Sequence, residues 1–117
     1  MSCTCQQLEN LPFSYKGNTF EAYLFDLSGD AQTYGTTVDT AKFTVNDISG
    51  VPVLDVTDGS GVTITDATTW QITIDQIDTI TFDAGYYWHG LEIKDSAGVT
   101  RTVRVGTWQI IEDAPQP

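Results

Sequence analysis

The sequence holds few residues of the kinds that catalyse reactions. His89 is the only histidine, and the two cysteines, Cys3 and Cys5, stand near the start of the chain. No serine or cysteine lies in a nucleophile motif, and the G-x-S-x-G, H-E-x-x-H, Walker and G-x-G-x-x-G patterns do not occur. His89 alternates with apolar residues, which predicts a hydrogen-bonded, half-buried core residue rather than a base or a ligand. We therefore predict that the chain is not an enzyme and has no catalytic residue.

Two patterns offer metal ligands, and both have a simpler interpretation. Cys3 and Cys5 form a C-x-C pair, but zinc takes four ligands, so two reduced thiols are predicted instead. Asp55, Asp58 and Asp66 flank a turn and could offer oxygens to calcium. The EF-hand order is absent, however, and aspartates in turns usually accept hydrogen bonds from their own backbone. We predict a solvated acidic hairpin end, no metal site and no cofactor.

Aromatic and apolar residues near the end of the chain indicate a contact surface. Tyr86 and Trp88 share a strand face with charged residues, and the segment 99–111 is apolar on both faces. In a small domain, a strand of this kind often has one face against a partner. The alternative is that a loop, the N-terminal arm or a bulge at Gly106 covers the second face or shifts its register. The predicted protein-contact residues are Tyr86, Trp88, Val103, Val105 and Trp108.

The elements that must position these residues are strands. Turn clusters rich in Gly, Asn, Asp and Ser recur at short intervals, with β-branched runs between them. Polar and apolar residues alternate in these runs, so each strand has one face for a core and one for water. We predict an all-β chain that forms an antiparallel, immunoglobulin-like β-sandwich of about seven to eight strands in a single domain. The predicted strands span 11–15, 18–27, 38–46, 51–57, 62–65, 69–75, 86–94 and 99–111.

The remaining segments are predicted to be connections and ends. Residues 76–82 should form a linker turn, and the last strand should break near Gly106. Residues 1–10 are predicted to be a flexible N-terminal arm, 11–112 the sandwich domain, and 113–117 a C-terminal tail. The arm lacks the basic and apolar regions of a secretory signal, which predicts a protein made and kept in a cytoplasm.

The charge of the chain excludes some classes of partner. Only 5 of its 117 residues are Lys or Arg, against 16 Asp and Glu, and the net charge is −11. A nucleic-acid binder or a protein of anionic membrane surfaces needs basic patches that this composition does not supply. No apolar run approaches the roughly 18 residues of a membrane helix. We predict no nucleic-acid partner and no membrane partner.

Short words in a fixed order connect the chain to a known family. They are TAKFTV at 40–45, VLDVTDGSGVTI at 53–64, WQITI at 70–74, AGYY and LEIKD within 84–95, and GVTRTV and GTW within 98–108. This set resembles a β-sandwich family of tailed-bacteriophage structural proteins. It is most similar to the N-terminal, virion-attaching domain of phage upper baseplate proteins and to related small tail, neck and head-decoration proteins. The match departs at Trp70, where the family has a small residue, and at His89 and Gly90, where it has an aromatic residue and Asp.

The resemblance implies a non-enzymatic structural role. Its partners would be other virion proteins and copies of itself, in a homo-oligomer within the assembled particle. The location would be the virion, with synthesis and assembly in the host bacterial cytoplasm. Many relatives continue into a receptor-binding part, whereas this sequence stops at Pro117, which favours a tail, baseplate or neck connector or adaptor.

Two alternatives stay open. Within the phage family, the chain would instead be a capsid decoration, cement or head-fibre protein. In another class, it would be a carbohydrate-binding or host-adhesion module with Tyr86 and Trp88 as a stacking platform. Loss of glycan binding on replacing Trp88 would favour the second alternative.

Overall fold

The computed structural model describes residues 7–112, and within them it contains eleven strands and one helix. Residues 1–6, which include Cys3 and Cys5, lie outside the described residues, as does the predicted tail 113–117. Seven strands have four or more residues: β4 (Tyr23–Asp26), β5 (Val38–Asp47), β6 (Pro52–Asp58), β7 (Gly61–Asp66), β8 (Gln71–Ile74), β10 (Gly85–Asp95) and β11 (Thr100–Ile111). The others are pairs, namely β1 (Gln7–Leu8), β2 (Ser14–Tyr15), β3 (Thr19–Phe20) and β9 (Ile77–Asp78), and the helix is α1 (Ser28–Tyr34). No helix among residues 7–112 is long and apolar enough to cross a membrane.

The strands form one curled sheet that folds over itself into two layers. Its order is β1-β11-β10-β5-β6-β7-β8-β4, with β2 also paired to β11, while β3 and β9 form a separate two-stranded sheet. The sheet turns at the short parallel pairing of β6 with β7, so β4, β8 and β7 lie over β5 and β10. Phe25 of β4 contacts Phe43 of β5 across the layers, with ring centroids 6.2 Å apart. The all-β, single-domain prediction is confirmed, with parallel pairings at β1, β2 and β6–β7 in an otherwise antiparallel sheet.

The core is built from the faces that the alternation predicts. Phe43 and Val45 in β5 are fully buried, as are Ile72 and Ile74 in β8, whereas the residues between them are partly exposed. Large apolar side chains on alternate positions fill the space between the two layers, and their removal from water favours folding. The largest fully buried side chains are Trp70, Trp108, Phe25, Phe43 and Leu27.

The N-terminal segment is not a free arm where the structure describes it. Gln7 and Leu8 pair in parallel with Arg104 and Val105 of β11. The segment continues along the same strand, since the Glu9 N–H donates to the Val105 carbonyl at 2.8 Å. We call residues 7–16 the strap. The prediction of a flexible arm is therefore wrong for residues 7–10, because backbone hydrogen bonds hold them to an otherwise unpaired strand edge.

Gly106 does not break β11, which runs through it without interruption. Its role is steric: a Cβ at this position would overlap the Glu9 carbonyl oxygen and lie 2.8 Å from Nε2 of His89. Glycine therefore lets the strap approach the sheet closely. The strap pairs along the edge of β11, whereas the predicted alternative was that the N-terminal arm covers a face of this strand.

The helix α1 lies between the predicted strands 18–27 and 38–46, where the sequence analysis predicts no helix. Its seven residues include none that is buried, so it has no apolar stripe to reveal it. Leu27, which precedes the helix, is fully buried and anchors it to the core. Gly35 ends the helix in the left-handed conformation with φ 67°, and its N–H donates to the Ala31 carbonyl.

Candidate protein-contact site

The outer face of β10 carries the two aromatic side chains that the sequence singles out. Tyr86 is 60% exposed and Trp88 is 53% exposed, whereas Tyr87 and His89 point into the core. Because β10 lies between β5 and β11, both rings stand in the middle of a sheet rather than at its edge. Exposed aromatic side chains at such a position are typical of contact surfaces.

The strand register places further apolar side chains beside this pair. Gly90 lies opposite Val105 of β11, and Val105 lies opposite Leu8 of the strap. Val105 is half-buried and Leu8 is 70% exposed. Paired residues share a face of the sheet, and a Cβ at Gly90 would have no other atom within 4 Å. We call Leu8, Tyr86, Trp88 and Val105 the aromatic face.

Two of the five predicted contact residues are core residues instead. Trp108 is fully buried, and its ring packs against Phe20 and Phe82 with centroids 5.0 and 5.4 Å away. Val103 is 4% exposed. Neither side chain reaches a surface that a partner could contact, so their assignment to the contact site is wrong.

A β-bulge in β11 explains the burial of Val103. Leu91 of β10 lies opposite Arg104, but the next residue, Glu92, lies opposite Thr102, so Val103 has no partner of its own. An extra residue reverses which positions of a strand face the core. Val103 and Arg104 therefore both point inward.

The polar group that the sequence analysis missed surrounds Arg104, which is only 5% exposed. Its Nε lies 3.3 Å from Oε1 of Glu9, and its Nη1 lies 3.5 Å from Oδ1 of Asp30. Tyr23 donates its hydroxyl proton to Oε2 of Glu9 at 2.5 Å. We call Glu9, Tyr23, Asp30 and Arg104 the arginine cluster. A buried guanidinium needs such partners, and the alternation that places Arg104 on the same strand face as the buried Trp108 and Ile110 was the available signal for them.

The arginine cluster connects the two ends of the larger sheet. Among the described residues, β4 ends one side of the sheet and pairs with β8 alone, while β11 and the strap end the other. Tyr23 and Asp30 come from β4 and α1, and Glu9 and Arg104 come from the strap and β11. Burial, together with the hydrogen bond and the charge of Glu9, raises the pKa of Tyr23 to about 12. The Tyr23 hydroxyl therefore stays protonated at neutral pH. It can donate its hydrogen bond to Glu9, but it cannot take up a proton as a general base would.

His89 lies beneath this cluster as a core residue. It is 3% exposed, its Nε2 lies 2.7 Å from the Glu9 carbonyl oxygen, and its ring contacts Phe25 and Phe43. Burial lowers the pKa of His89, so the ring is neutral at pH 7, and its Nε2–H donates a hydrogen bond to the Glu9 carbonyl oxygen. Its Nδ1 has no hydrogen-bond partner among the described residues. This agrees with the predicted hydrogen-bonded core position, but the ring is buried rather than half-buried.

The aspartates considered for calcium are engaged separately. Asp58 accepts the Ala41 N–H at 3.0 Å, and Asp66 accepts the N–H groups of Thr68 and Thr69. Asp55 lies 3.7 Å from Nζ of Lys42. Within residues 7–112, no group of three or more His, Cys, Asp or Glu side chains is placed to hold a metal ion.

Comparison with known proteins bears on the fold alone. No protein-family model and no curated protein sequence matches the chain. Among solved structures, the chain is similar to CopC from Methylosinus trichosporium OB3b, with a TM-score of 0.55 and 11% identity over 89% of this chain and 88% of that one. It is also similar to an internalin-like protein of Listeria monocytogenes, with a TM-score of 0.46 and 19% identity over 92% of this chain and 28% of that one. The CopC likeness agrees with an immunoglobulin-like β fold and carries no function.

Proposed function

We propose that this chain is a non-enzymatic structural protein of a tailed-bacteriophage virion, a connector or adaptor of the tail, baseplate or neck. The observation that carries the proposal is the aromatic face. Tyr86 and Trp88 stand exposed at the centre of the larger sheet, with Leu8 and Val105 beside them. This surface would be buried against other virion proteins, or against copies of this chain in a ring. Such binding requires no catalytic residue.

The conformation of Trp70 also supports the resemblance on which the phage assignment rests. The family has glycine at the start of the word that reads WQITI here, and the φ of Trp70 is 56°, a left-handed value that favours glycine. Packing of the buried indole, which stacks on Tyr34 at 5.8 Å and donates to the Thr36 carbonyl, offsets that strain. A glycine at the start of the family word would favour the same backbone conformation, and this agreement supports the proposal.

The test is incorporation into particles. In a tailed phage whose genome encodes this chain, mass spectrometry of purified virions should find it at a fixed copy number. Replacing Trp88→Ser should remove it from the particles while the free subunit stays folded. Leu24→Ser is the matched control, because Leu24 is 51% exposed on the other layer and should be tolerated. Absence of the wild-type chain from virions would reject the proposal, and its location on capsid or tail would separate decoration from connector roles.

A carbohydrate-binding or host-adhesion module is the second candidate, favoured by the exposure of two aromatic rings two residues apart on one strand. Sugars stack on such rings, and Trp88 is the only exposed one of the three tryptophans, since Trp70 and Trp108 are fully buried. A glycan that binds here should change tryptophan fluorescence. Binding that is lost in Trp88→Ala would favour this candidate over the structural one.

A further inference from the structure

A second surface lies at the edge of β6, which is separated from β10 by β5 in the strand order. One side of β6 pairs with β5 along most of its length. On the other side, among the described residues, it pairs with β7 only at Thr57 and Asp58. Residues 52–56 therefore present an open strand edge about 16 Å long, at about 3.3 Å per residue. An open edge is a template for another extended chain.

A groove runs beside this edge. It consists of two adjoining pockets of about 310 and 280 Å³ that share Val53, Thr81 and Phe82. Leu54 and Val56 line it from β6, and Ile77 lines it from β9. Each pocket is near the lower limit for ligand sites, so the groove suits individual apolar side chains rather than a large cofactor.

The charges around the groove indicate what kind of chain would enter it. Its lining includes four aspartates and, among the described residues, no lysine or arginine; the aspartates are Asp47, Asp75, Asp78 and Asp83. Nζ of Lys16, outside the lining, lies 3.8 Å from Oδ1 of Asp83, so three of the four have no cation paired with them among the described residues. A second copy of this chain, itself carrying a charge of −11, would bring the same aspartates against these. Like charges at a strand pairing are destabilising, so self-pairing through this edge is disfavoured.

We propose that the β6 edge binds an extended, cationic segment of another protein by adding it as a strand to the sheet. Backbone hydrogen bonds to residues 52–56 would supply the alignment, and alternate apolar side chains would enter the groove. The positive charge of lysine or arginine side chains elsewhere in the segment would complement the four aspartates around the groove. This proposal does not depend on the proposed role of the aromatic face. The two sites share only Tyr86, which lines one end of the groove.

The test uses a synthetic peptide of alternating lysine and valine, capped at both ends, and the isotope-labelled wild-type chain. We expect NMR shift changes in the amides of 53–56 and binding that weakens with salt. A peptide with glutamate in place of lysine should not bind. A third peptide, with proline at its central valine, should bind about tenfold more weakly, because proline cannot donate a strand hydrogen bond.

Variants of the chain locate the charge effect. Asp78→Asn with Asp83→Asn should weaken binding of the lysine–valine peptide about tenfold. Asp39→Asn, an exposed aspartate that does not line the groove, should leave it unchanged. Equal binding of the proline peptide, shift changes centred on Trp88, or no binding would each overturn the proposal. None of these results depends on particle incorporation, so this proposal and the proposed function can fail separately.

Discussion

Trp88 and Trp108 have the same side chain in opposite surroundings. Trp108 is fully buried between Phe20 and Phe82, so Trp108→Ala should lower the free energy of unfolding by about 3–5 kcal/mol. Trp88→Ala, at an exposed position, should change it by less than about 1 kcal/mol. Urea denaturation of the two variants measures both values. A loss below about 1 kcal/mol for Trp108→Ala would place that side chain at the surface.

His89 should make stability depend on pH. Its pKa is lowered from 6.5 in the folded chain, so below about pH 6.5 the unfolded state takes up a proton that the folded state does not. Stability should therefore fall as the pH decreases through this window, by at most about 1.4 kcal/mol per pH unit.

Asp95 does not contribute in the same pH window. Burial raises the pKa of this carboxyl, but hydrogen bonds outweigh burial and the pKa lies below 3.8; the donors are Val99, Thr36, Arg101 and Ala97. The stabilising effect of Asp95 is therefore lost only at more acidic pH.

The matched variant for this prediction is His89→Gln, whose amide can still donate to the Glu9 carbonyl but does not titrate. Urea denaturation at about pH 7.5 and 5.5 should show a steeper loss for the wild type than for the variant. The comparison uses the slope, so a general destabilisation by the substitution does not affect it. Identical slopes would assign the pH dependence to another group.

At the scale of elements, the sequence predicts strands well and their neighbours poorly. The positions of β5, β6, β10 and β11 agree with prediction to within two residues at each end, because alternation and turn residues are local signals. The helix α1 could not be predicted because none of its residues is buried and it has no apolar stripe. The strap could not be predicted because backbone hydrogen bonds hold it, and these do not depend on the sequence of side chains. The bulge at Val103 depends on pairing with β10, so its position could not be derived from β11 alone.

The same non-local contacts explain which parts of the candidate site could be predicted. Tyr86 and Trp88 follow from alternation within β10. Val103 and the arginine cluster do not, because the first depends on a register shift and the second brings Glu9 and Arg104 together across most of the chain. Sequence patterns report which face a side chain occupies, whereas partners distant in sequence are set by the fold.

A substitution at Gly106 tests how the strap is held against β11. A methyl group in Gly106→Ala would meet the Glu9 carbonyl oxygen, so we expect the strap to move away and stability to fall by about 2–3 kcal/mol. Hydrogen exchange of the Glu9 and Leu11 amides, which donate to Val105 and Thr107, should accelerate.

Gly90→Ala is the control for this experiment. It places the same methyl group on the neighbouring strand, where nothing lies within 4 Å, and it should change stability by less than about 1 kcal/mol. Unchanged exchange of the Glu9 amide in Gly106→Ala would contradict a steric role for the glycine.

At the scale of the whole molecule, charge and the aromatic face act in opposite directions. A net charge of −11 keeps free copies apart at low salt, while the exposed apolar surface favours association. Raising salt from about 0.02 M to about 1 M shortens the screening length to roughly 3 Å, so the average mass in solution should rise. Light scattering should show this rise for the wild type and for Leu24→Ser, and a smaller one for Trp88→Ser. A mass that is independent of salt, or equal in all three chains, would contradict this balance.

The parallel course of the strap along β11 has a mechanical consequence. The strap begins at Gln7 and pairs in parallel with a strand that ends at Ile111. Tension applied between these two ends pulls the paired segments lengthwise past each other, so their backbone hydrogen bonds carry the load together as a shear joint. An antiparallel arrangement would instead release them one at a time, like a zipper. A chain built in this way should resist a force that pulls on these two ends.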